Sequence, residues 1–473
     1  MKSLLSLSET ISAVGGKCIC SEAAAEKFYF CDVTTDSRNV KENSLFIPLV
    51  GEFQDGHAYV LPAIEKGASV VFIDQESYDC MESLFLEMQE EHPYTVFIVV
   101  RNTLYALQSL AAFYIRKFPN LIKIGITGSS GKTTTKEIIA SILAEKYSVV
   151  MNEGNFNSET GLPLSVFKIR ENHEVGVFEL GMNRKGEIAE ITSVLNPDLA
   201  VITNIGSAHI GMLGSRDAIA AEKKSVFALF TDICVAFIPK NDDYADFLAD
   251  DIKGKVVLYD CGLADDIKSA GLNGTEFNLD NQKIHFPLPG KGNLYDVMAG
   301  IAVAKEMDCS LMQIKNGIEA VKPLFGRSQI ISGDVSVIQD CYNANPDSMA
   351  QALDFFSSLE VEEGRKIAIL GDMLELGDDS KKEHEKILCS ALESGAAFIV
   401  CVGKDICNAT NSIDVNNEEK SKFVCFSDIT DTGFDFIASF LNKYIKKGDV
   451  VLLKGSRGIR LERLTPVLTK GDV

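Results

Sequence analysis

The sequence predicts an α/β protein of three domains, and three observations carry that reading. Apolar strand-like runs alternate with helical stretches along most of the 473 residues. The alternation becomes regular from Leu121 onward. A further break falls at residues 322–327, beyond the Gly/Pro-rich string PLPGKGN at 287–293. Near-continuous apolar strands separated by helices form largely parallel sheets covered on both faces. At roughly 150 residues per domain the length accommodates three such units. We place them at 1–118, a small α/β domain; 119–324, a central domain with a mostly parallel sheet; and 325–473, a Rossmann-like domain.

Residues 1–118 carry strand candidates at 44–50, 69–73 and 96–100 with helices between them. A helix at 103–118 stops at Pro119, whose ring resists helix continuation. In the central segment, strands are predicted at 122–127, 148–151, 175–180, 199–205, 233–238 and 256–259, with helices at 132–146, 186–195 and 217–230. A helix at 294–307 follows PLPGKGN. The third segment alternates strands at 335–339, 366–370, 398–402, 423–426 and 450–453 with helices, the clearest at 347–359 and 381–394. Neither a repeat of solenoid length nor a low-complexity tract interrupts this order.

Composition narrows the function. Hydrophobic residues are 46% and charged residues 24%, enough for buried cores and without a disorder signature. The 67 acidic residues exceed the 46 basic ones, for a net charge of −21, which opposes a nucleic-acid or anionic-membrane partner at long range. A compact phosphate site is a separate matter, because backbone N–H groups and one or two lysines suffice for it. No apolar run reaches the length of a membrane span, and Asp232 breaks the stretch 226–239. The start, MKSLLSLSETISAVGGKC, is a poor signal peptide, interrupted by serines and Glu9. Twelve dispersed cysteines, several in apolar runs such as those around Cys234 and Cys401, read as buried free thiols in a reducing cytoplasm. Cys18 and Cys20 form a CxC without a second pair, and the six histidines contain no HExxH, so no zinc site is expected. No coiled-coil pattern calls for an oligomer, and a monomer is the expectation.

The strongest chemical signal is IGITGSSGKTTTKE at 124–137. A strand ends at Thr127, a Gly/Ser turn follows, and a helix begins at Lys132. Gly128 and Gly131 let backbone N–H groups approach phosphate oxygens, and the helix N-terminus favours an anion. Lys132 can reach β- and γ-phosphates, and the Thr133 hydroxyl can ligate Mg²⁺. Ile126 stands where the strict GxxxxGK[ST] pattern has its first glycine, so the string is TGxxGKT. The central domain is therefore expected to be P-loop ATPase-like. A P-loop needs an acid from a neighbouring strand to complete its metal shell, and VGVFELG puts Glu179 at the end of an apolar strand. VITNIGSAHIGMLGS follows another strand with a loop containing His209, at the carboxyl ends where ligands of parallel sheets collect.

Seven strings in order resemble the Mur ligase family, the ATP-dependent amide-forming enzymes of peptidoglycan precursor synthesis. They are TGSSGKTT (127–134), NEGNFNSETGLP (152–163), FELGMNRKGEI (178–188), TNIGSAHIGMLGS (203–215), DCYNANPDSM (340–349), LGDMLELG (370–377) and KGSRG (454–458), and they span essentially the whole chain. The last three, with GNFNSETGLP, are most similar to the branch that joins D-alanyl-D-alanine to UDP-N-acetylmuramoyl-tripeptide. The DNPR-type signature of the diaminopimelate-adding sibling is absent.

The resemblance implies a role for each matched position. Thr127, Gly128, Ser129, Ser130, Gly131, Lys132, Thr133 and Thr134 would hold the phosphates of ATP. Thr133, Glu179 and His209 would form the Mg²⁺ site, and Lys132, Glu179, His209 and Lys223 the catalytic set. Lys223, in IAAEKKSVF, matches the lysine that the family carbamylates, with Lys224 beside it and Ser225 where the family has an acid. From the residues alone, Lys223 reads as an unmodified lysine on a solvated helix face. Asn293 matches the adenine-contacting asparagine, although Gly292 precedes it in place of histidine. Arg327 and Asp340 match nucleotide- and ribose-contacting positions, with Gln339 where an acid is usual. Asp36, Ser37 and Arg38 in TTDSRNV, with GEFQDGH, would hold the UDP part of the substrate. Asn155, Asn157 and Thr160 would line the acceptor channel, and Asn343 and Asn345 would also meet substrate. The implied reaction runs through an acyl phosphate and needs no side-chain nucleophile, in keeping with the lack of GxSxG. Rival readings are another Mur-type or folylpolyglutamate-type ligase on the same scaffold, and a nucleotide-gated switch, which would need the NKxD string that the chain lacks.

Overall fold

A computed structural model describes residues 3–469. The chain divides into two compact units. One holds the chain up to Gly125 together with Ser148–Met182 and Gly186–Leu199; the other holds Ile126–Tyr147, Asn183–Lys185 and the described chain from Ala200 onward.

The N-terminal part of the first unit is a five-stranded sheet of β1 (Lys17–Ile19), β2 (Asp32–Thr34), β3 (Ser44–Phe46), β4 (Ala68–Asp74) and β5 (Val96–Val100), in the order β1-β5-β4-β3-β2. All neighbours are parallel except β1, which runs antiparallel to β5. Phe46, Val71, Ile73, Phe97 and Val99 of the strands pack with Tyr78 and Phe85 of the helix Gln75–Glu91. The strand expected at 44–50 pairs only over Ser44–Phe46, because the chain then leaves the sheet for a turn closed by a single bridge between Val50 and Asp55. β1 and β2 are three residues each, too short to show a hydrophobic period. The helix expected at 103–118 spans Thr103–Ile115, capped by Asn102, whose side chain accepts from the Tyr105 N–H.

Six strands form the second sheet: β6 (Ile122–Thr127), β7 (Val149–Met151), β8 (Val175–Glu179), β9 (Leu199–Ile202), β10 (Val235–Pro239) and β11 (Lys255–Tyr259), ordered β11-β10-β9-β6-β8-β7. Every residue of β8, β9 and β10 is buried, as a parallel strand covered on both faces requires. The helix expected at 217–230 is Arg216–Lys224, tightening into a 3₁₀ turn at Ser225–Phe227. An antiparallel sheet of β12 (Asp265–Ser269), β13 (Thr275–Leu279) and β14 (Gln282–Phe286) was not anticipated. β12 is exposed throughout and reads as polar loop. The β13–β14 hairpin does leave a trace, TEFNLDNQKIHF, in which Asp280 and Asn281 take the two positive φ angles of a tight primed turn.

The third sheet contains β15 (Gln329–Ile331), β16 (Ser336–Asp340), β17 (Lys366–Gly371), β18 (Phe398–Val402), β19 (Phe423–Phe426) and β20 (Val450–Lys454), ordered β15-β16-β20-β17-β18-β19. Only β15 is antiparallel to its neighbour. One hydrophobic cluster includes Met349, Leu353, Phe356, Ile387 and Leu388 from the helices Pro346–Ser358 and Ser380–Glu393. A second includes Phe434, Ile437 and Leu441 from the helix Asp431–Tyr444 with Leu461 and Leu464. These are the two helical layers of a Rossmann-like sandwich. No helix among the described residues is long and apolar enough to cross a membrane.

Candidate functional site

β6 delivers Thr127 to a turn whose two glycines are required by fit. Gly128 has φ 153°, and a Cβ there would run into the Thr203 side chain. Gly131 has φ 77°, and a Cβ there would run into the Asp296 carboxyl. The helix Lys132–Leu143 starts at Gly131 without a side-chain cap, a start that suits an anion as the capping group. The turn is tied down by TNIG at 203–206: Thr203 Oγ1 donates to the Ser130 carbonyl at 2.6 Å, Ser130 N–H donates to Asn204 Oδ1 at 3.1 Å, and Gly206 N–H donates to Ser129 Oγ at 2.8 Å.

Two lysines converge on this turn. Lys132 Nζ and Lys223 Nζ each donate to the Gly128 carbonyl at 2.8 Å. Lys223 is 1% exposed, so the expectation of a solvated lysine is overturned. The helix Arg216–Lys224 turns Ile219, Ala220 and Lys223 inward on one face, by the i, i+4 spacing that brings such residues together. Its neighbour Lys224 donates to the Phe247 carbonyl at 2.7 Å, so Lys223 is the lysine of the pair that meets the loop. Beneath the turn, Asp296 of the helix Lys291–Glu306 accepts from Thr135 Oγ1 at 3.1 Å. Burial pushes its carboxyl up to about 8, against the pull of the Thr135 hydrogen bond and the Arg327 charge. Thr127 Oγ1 is buried without a hydrogen-bond partner. Two Nζ groups on one carbonyl can donate to an incoming phosphate, whose oxygens accept charge-assisted hydrogen bonds.

Two further loops meet beside it. His209 has φ 63° and Glu375 has φ 69°, both left-handed, and His209 Nδ1 lies 3.1 Å from Glu375 Oε2. That contact is at ion-pair distance but outside hydrogen-bonding geometry. The imidazole holds the Glu375 carboxyl below the usual range. A Cβ on Gly211 would approach the Glu375 carbonyl at 2.7 Å and the Gly377 N at 2.9 Å, so TNIGSAHIG and LGDMLELG are packed backbone to backbone. Asp347 adds a second tie, its Oδ2 accepting from Ser207 N–H at 2.6 Å and Ser207 Oγ at 2.8 Å.

Of the other expected nucleotide contacts, Asn293 donates to the Pro289 carbonyl at 2.6 Å in the first turn of its helix. The Arg327 guanidinium stacks 4.3 Å over the Tyr342 ring. Asp340 pairs with the buried Lys454 at 2.8 Å and accepts from Ser328 N–H. Lys454 also donates to the Asn343 carbonyl at 3.0 Å. Asn345 caps the helix Pro346–Ser358 in a reciprocal box with Ser348, so its side chain is engaged in holding that helix start.

In the first unit, Glu179 closes β8 at 2% exposure. Asn157 Nδ2 donates to its Oε1 at 2.6 Å, and Asn152 brackets its backbone, accepting from the Glu179 N–H at 2.9 Å and donating to its carbonyl at 3.1 Å. Asn155 is exposed nearby in sequence, and Thr160 starts the helix Gly161–Val166 without capping it. Asp36 caps the turn Ser37–Asn39 and grips the Arg38 guanidinium with both oxygens, at 3.0 and 2.7 Å. Ser37 contributes its carbonyl to Lys66. His57 of GEFQDGH is buried, with Nδ1 2.6 Å from Asp55 and Nε2 accepting from the Asp74 N–H. Asn152, Thr203, Asn204, Asp296, Asp347 and Glu375 were missed as individual residues. Most lie inside the strings quoted above, and Asp296 is marked only as an acid in an otherwise apolar helix.

A strand, a turn that only glycines fit, two lysines on its carbonyl and a helix opening onto it define a nucleotide phosphate-loop protein. Its residues 126–304 match the Mur ligase middle domain, and 326–457 match the family described as Mur ligase, glutamate ligase domain. The chain is 42% identical, over 99% of both chains, to the UDP-N-acetylmuramoyl-tripeptide–D-alanyl-D-alanine ligase of Treponema pallidum. Its fold is similar to a crystal structure of MurF from Acinetobacter baumannii, with a TM-score of 0.84, 27% identity and 98% of each chain covered. It is also similar to the MurF ligase of Thermotoga maritima in complex with ADP, with a TM-score of 0.75, 25% identity, and 93% and 97% of the two chains covered. The chain belongs to the Mur ligase family.

Proposed function

We propose that this chain joins D-alanyl-D-alanine to UDP-N-acetylmuramoyl-tripeptide at the expense of ATP, in peptidoglycan precursor synthesis. The observation that carries the nucleotide half is the meeting of Lys132 and Lys223 on the Gly128 carbonyl. The substrate half is supported by 42% identity to a ligase of that name along the full length.

The peptide carboxylate attacks the γ-phosphorus of ATP, the bond to ADP breaks, and an acyl phosphate forms. The dipeptide amine then attacks the acyl carbon, phosphate leaves, and the amine proton passes to solvent. Positioning and charge neutralisation carry such a reaction. Lys132 neutralises the transferring phosphoryl group, and the Gly128–Gly131 turn presents backbone N–H groups to it. Thr133, Glu179 and His209 are the residues we assign to Mg²⁺, Glu179 with its carboxylate oriented by Asn157. Phosphate oxygens and water would complete the shell of an ion held there. Held by these residues, such an ion would offset the repulsion between two anionic reactants. Asn293, Arg327 and Asp340 are assigned to the nucleoside, and Asp36, Ser37 and Arg38 to the UDP moiety. Asn155, Asn157, Thr160, Asn343 and Asn345 are assigned to the acceptor. We further propose that 1–118, 119–324 and 325–473 act as the modules for UDP-sugar, ATP and dipeptide, in a cytoplasmic monomer.

The test is ADP release with UDP-N-acetylmuramoyl-tripeptide, with and without D-alanyl-D-alanine, and with single amino acids in its place. Turnover should require the dipeptide. Turnover indifferent to it would favour a switch ATPase, and turnover with a single amino acid would favour another ligase step.

A further inference from the structure

Cys18 and Cys20 form the CxC of the N-terminal sheet, and neither belongs to a string that builds the phosphate site. Cys18 lies within β1 opposite Ile98 of β5, and Ile19, opposite Phe97, is the last paired residue of the strand. Ile19 packs on the cluster that holds Phe97 and Val99, so the two cysteines flanking it leave the opposite face together. Their Sγ atoms stand 3.2 Å apart. Both residues are half-buried, and β1 is an edge strand with β5 as its neighbour, so the pair lies within reach of a small solute.

We propose that Cys18 and Cys20 are a redox-active dithiol that closes to an intrastrand disulfide by exchange with a small-molecule disulfide of the glutathione type. The assignment stands apart from the ligase reading, since it uses no residue of that site. Sulfur atoms already in contact put the second thiol at hand the moment the first is modified. Backbone spacing sets how firm the bridge is. Two strand rises of about 3.4 Å separate the Cα atoms by about 6.8 Å, the upper end of the span that disulfides bridge. Cys20 lies one residue past the last ladder pair, so the chain can turn there and shorten that span. A bridge at the edge of the range is strained and more readily reduced than a structural one. The pair therefore rests as a dithiol where reduced glutathione prevails, and closes as the oxidised form accumulates.

Burial, and then the contact with Cys20, pushes the Cys18 thiol up to about 12, so Cys20 opens the exchange. The Cys20 thiolate attacks one sulfur of the small disulfide. A new S–S bond forms, the old one breaks, and one small thiolate leaves and takes a proton from water. Cys18 sulfur then attacks Cys20 sulfur in the mixed disulfide. The intrastrand bond forms, the mixed bond breaks, and the second small thiol leaves with the Cys18 proton. Two electrons pass from the cysteine pair to the small disulfide. The part of the Cys18 rise that comes from Cys20 disappears once Cys20 is in the mixed disulfide, which eases the second step.

The experiment incubates the full chain with oxidised glutathione, alkylates the remaining thiols and maps peptides by mass spectrometry. The peptide holding both cysteines should lose both alkylation sites, carry no glutathione, and regain both sites on treatment with reduced glutathione alone. Cys18→Ser should instead retain glutathione on Cys20 as a lasting mixed disulfide. Independent of any variant, phenylarsine oxide, whose arsenic bonds two thiols at once, should protect Cys18 and Cys20 together from alkylation. A native chain that keeps glutathione on both thiols or reacts at neither would overturn the assignment. So would a disulfide from either one to Cys31, a bridge that reduced glutathione leaves closed, or arsenical protection of neither or of one alone.

Discussion

Replacing Asp296 with asparagine removes an ionisable group from beneath the phosphate turn while keeping its shape and an acceptor for Thr135. The carboxyl is 6% exposed, and burial lifts it from 3.8 to about 8. Below pH 3.8 the folded and unfolded chains both hold the proton, and the group contributes no difference. Between 3.8 and about 8 the unfolded chain has released the proton and the folded chain has kept it, so folding stability declines as pH rises. Above about 8 both are ionised and the penalty is constant. At ~1.4 kcal/mol per unit, a window of about 4 units gives a ceiling on the order of 6 kcal/mol. Only about 2 of those units lie between pH 6 and the folded pKa, which makes about 3 kcal/mol accessible to experiment. The assay is thermal unfolding of both proteins at pH 6 and pH 8.5. Asp296→Asn should lose less Tm than the wild type over that interval, by roughly 2–4 °C for each kcal/mol in a domain of this size. The two-protein difference cancels the other titrating groups. Equal losses in the two proteins would refute the argument, because Asp296 would then carry no proton that folding retains.

Three further substitutions probe the rest of the site. Lys132→Ala should lower ligase turnover by on the order of 10² or more, as loss of a preorganised charge donor does, and unchanged ADP release would remove Lys132 from the chemistry. Asn152→Ala removes the side chain that pairs with the Glu179 N–H and carbonyl and with the Phe156 carbonyl, so the urea midpoint should fall by the equivalent of about 3 kcal/mol. A shift within about 0.5 kcal/mol would show the bracket to be dispensable. Asp347→Ala strands the Ser207 N–H and hydroxyl, and amide exchange across 203–213 should quicken by on the order of tenfold if about 1–2 kcal/mol of local stability is lost. Exchange at the wild-type rate would mean that another contact holds this loop.

The phosphate turn was legible because its constraint is written in residue type. Only glycine avoids Thr203 at position 128 and Asp296 at position 131, and a strand and a helix flank them unmistakably. Alternating apolar strands and helices likewise announced the two parallel sheets, since burial on both faces forces near-continuous apolar runs. Lys223 was not legible as a buried group. DAIAAEKK is a plausible solvated helix, and which face turns inward depends on the Gly128 carbonyl, 95 residues away. The antiparallel sheet at 265–286 was hidden because DDIKS has no apolar face to bury. Asn345 was read only as a substrate contact, although its place before Pro346 and three residues ahead of Ser348 also lets it cap the helix that follows.

The chain's net charge of −21 repels polyanions at a distance, yet its phosphate turn gathers two ammonium groups on a single carbonyl. These facts are compatible because range separates them. At physiological ionic strength the surface field decays within about 8 Å, while Lys132 and Lys223 stand within two hydrogen-bond lengths of each other. A phosphate oxygen meeting both Nζ groups would be held by charge-assisted hydrogen bonds at that short range, where the net charge of the surface has little influence.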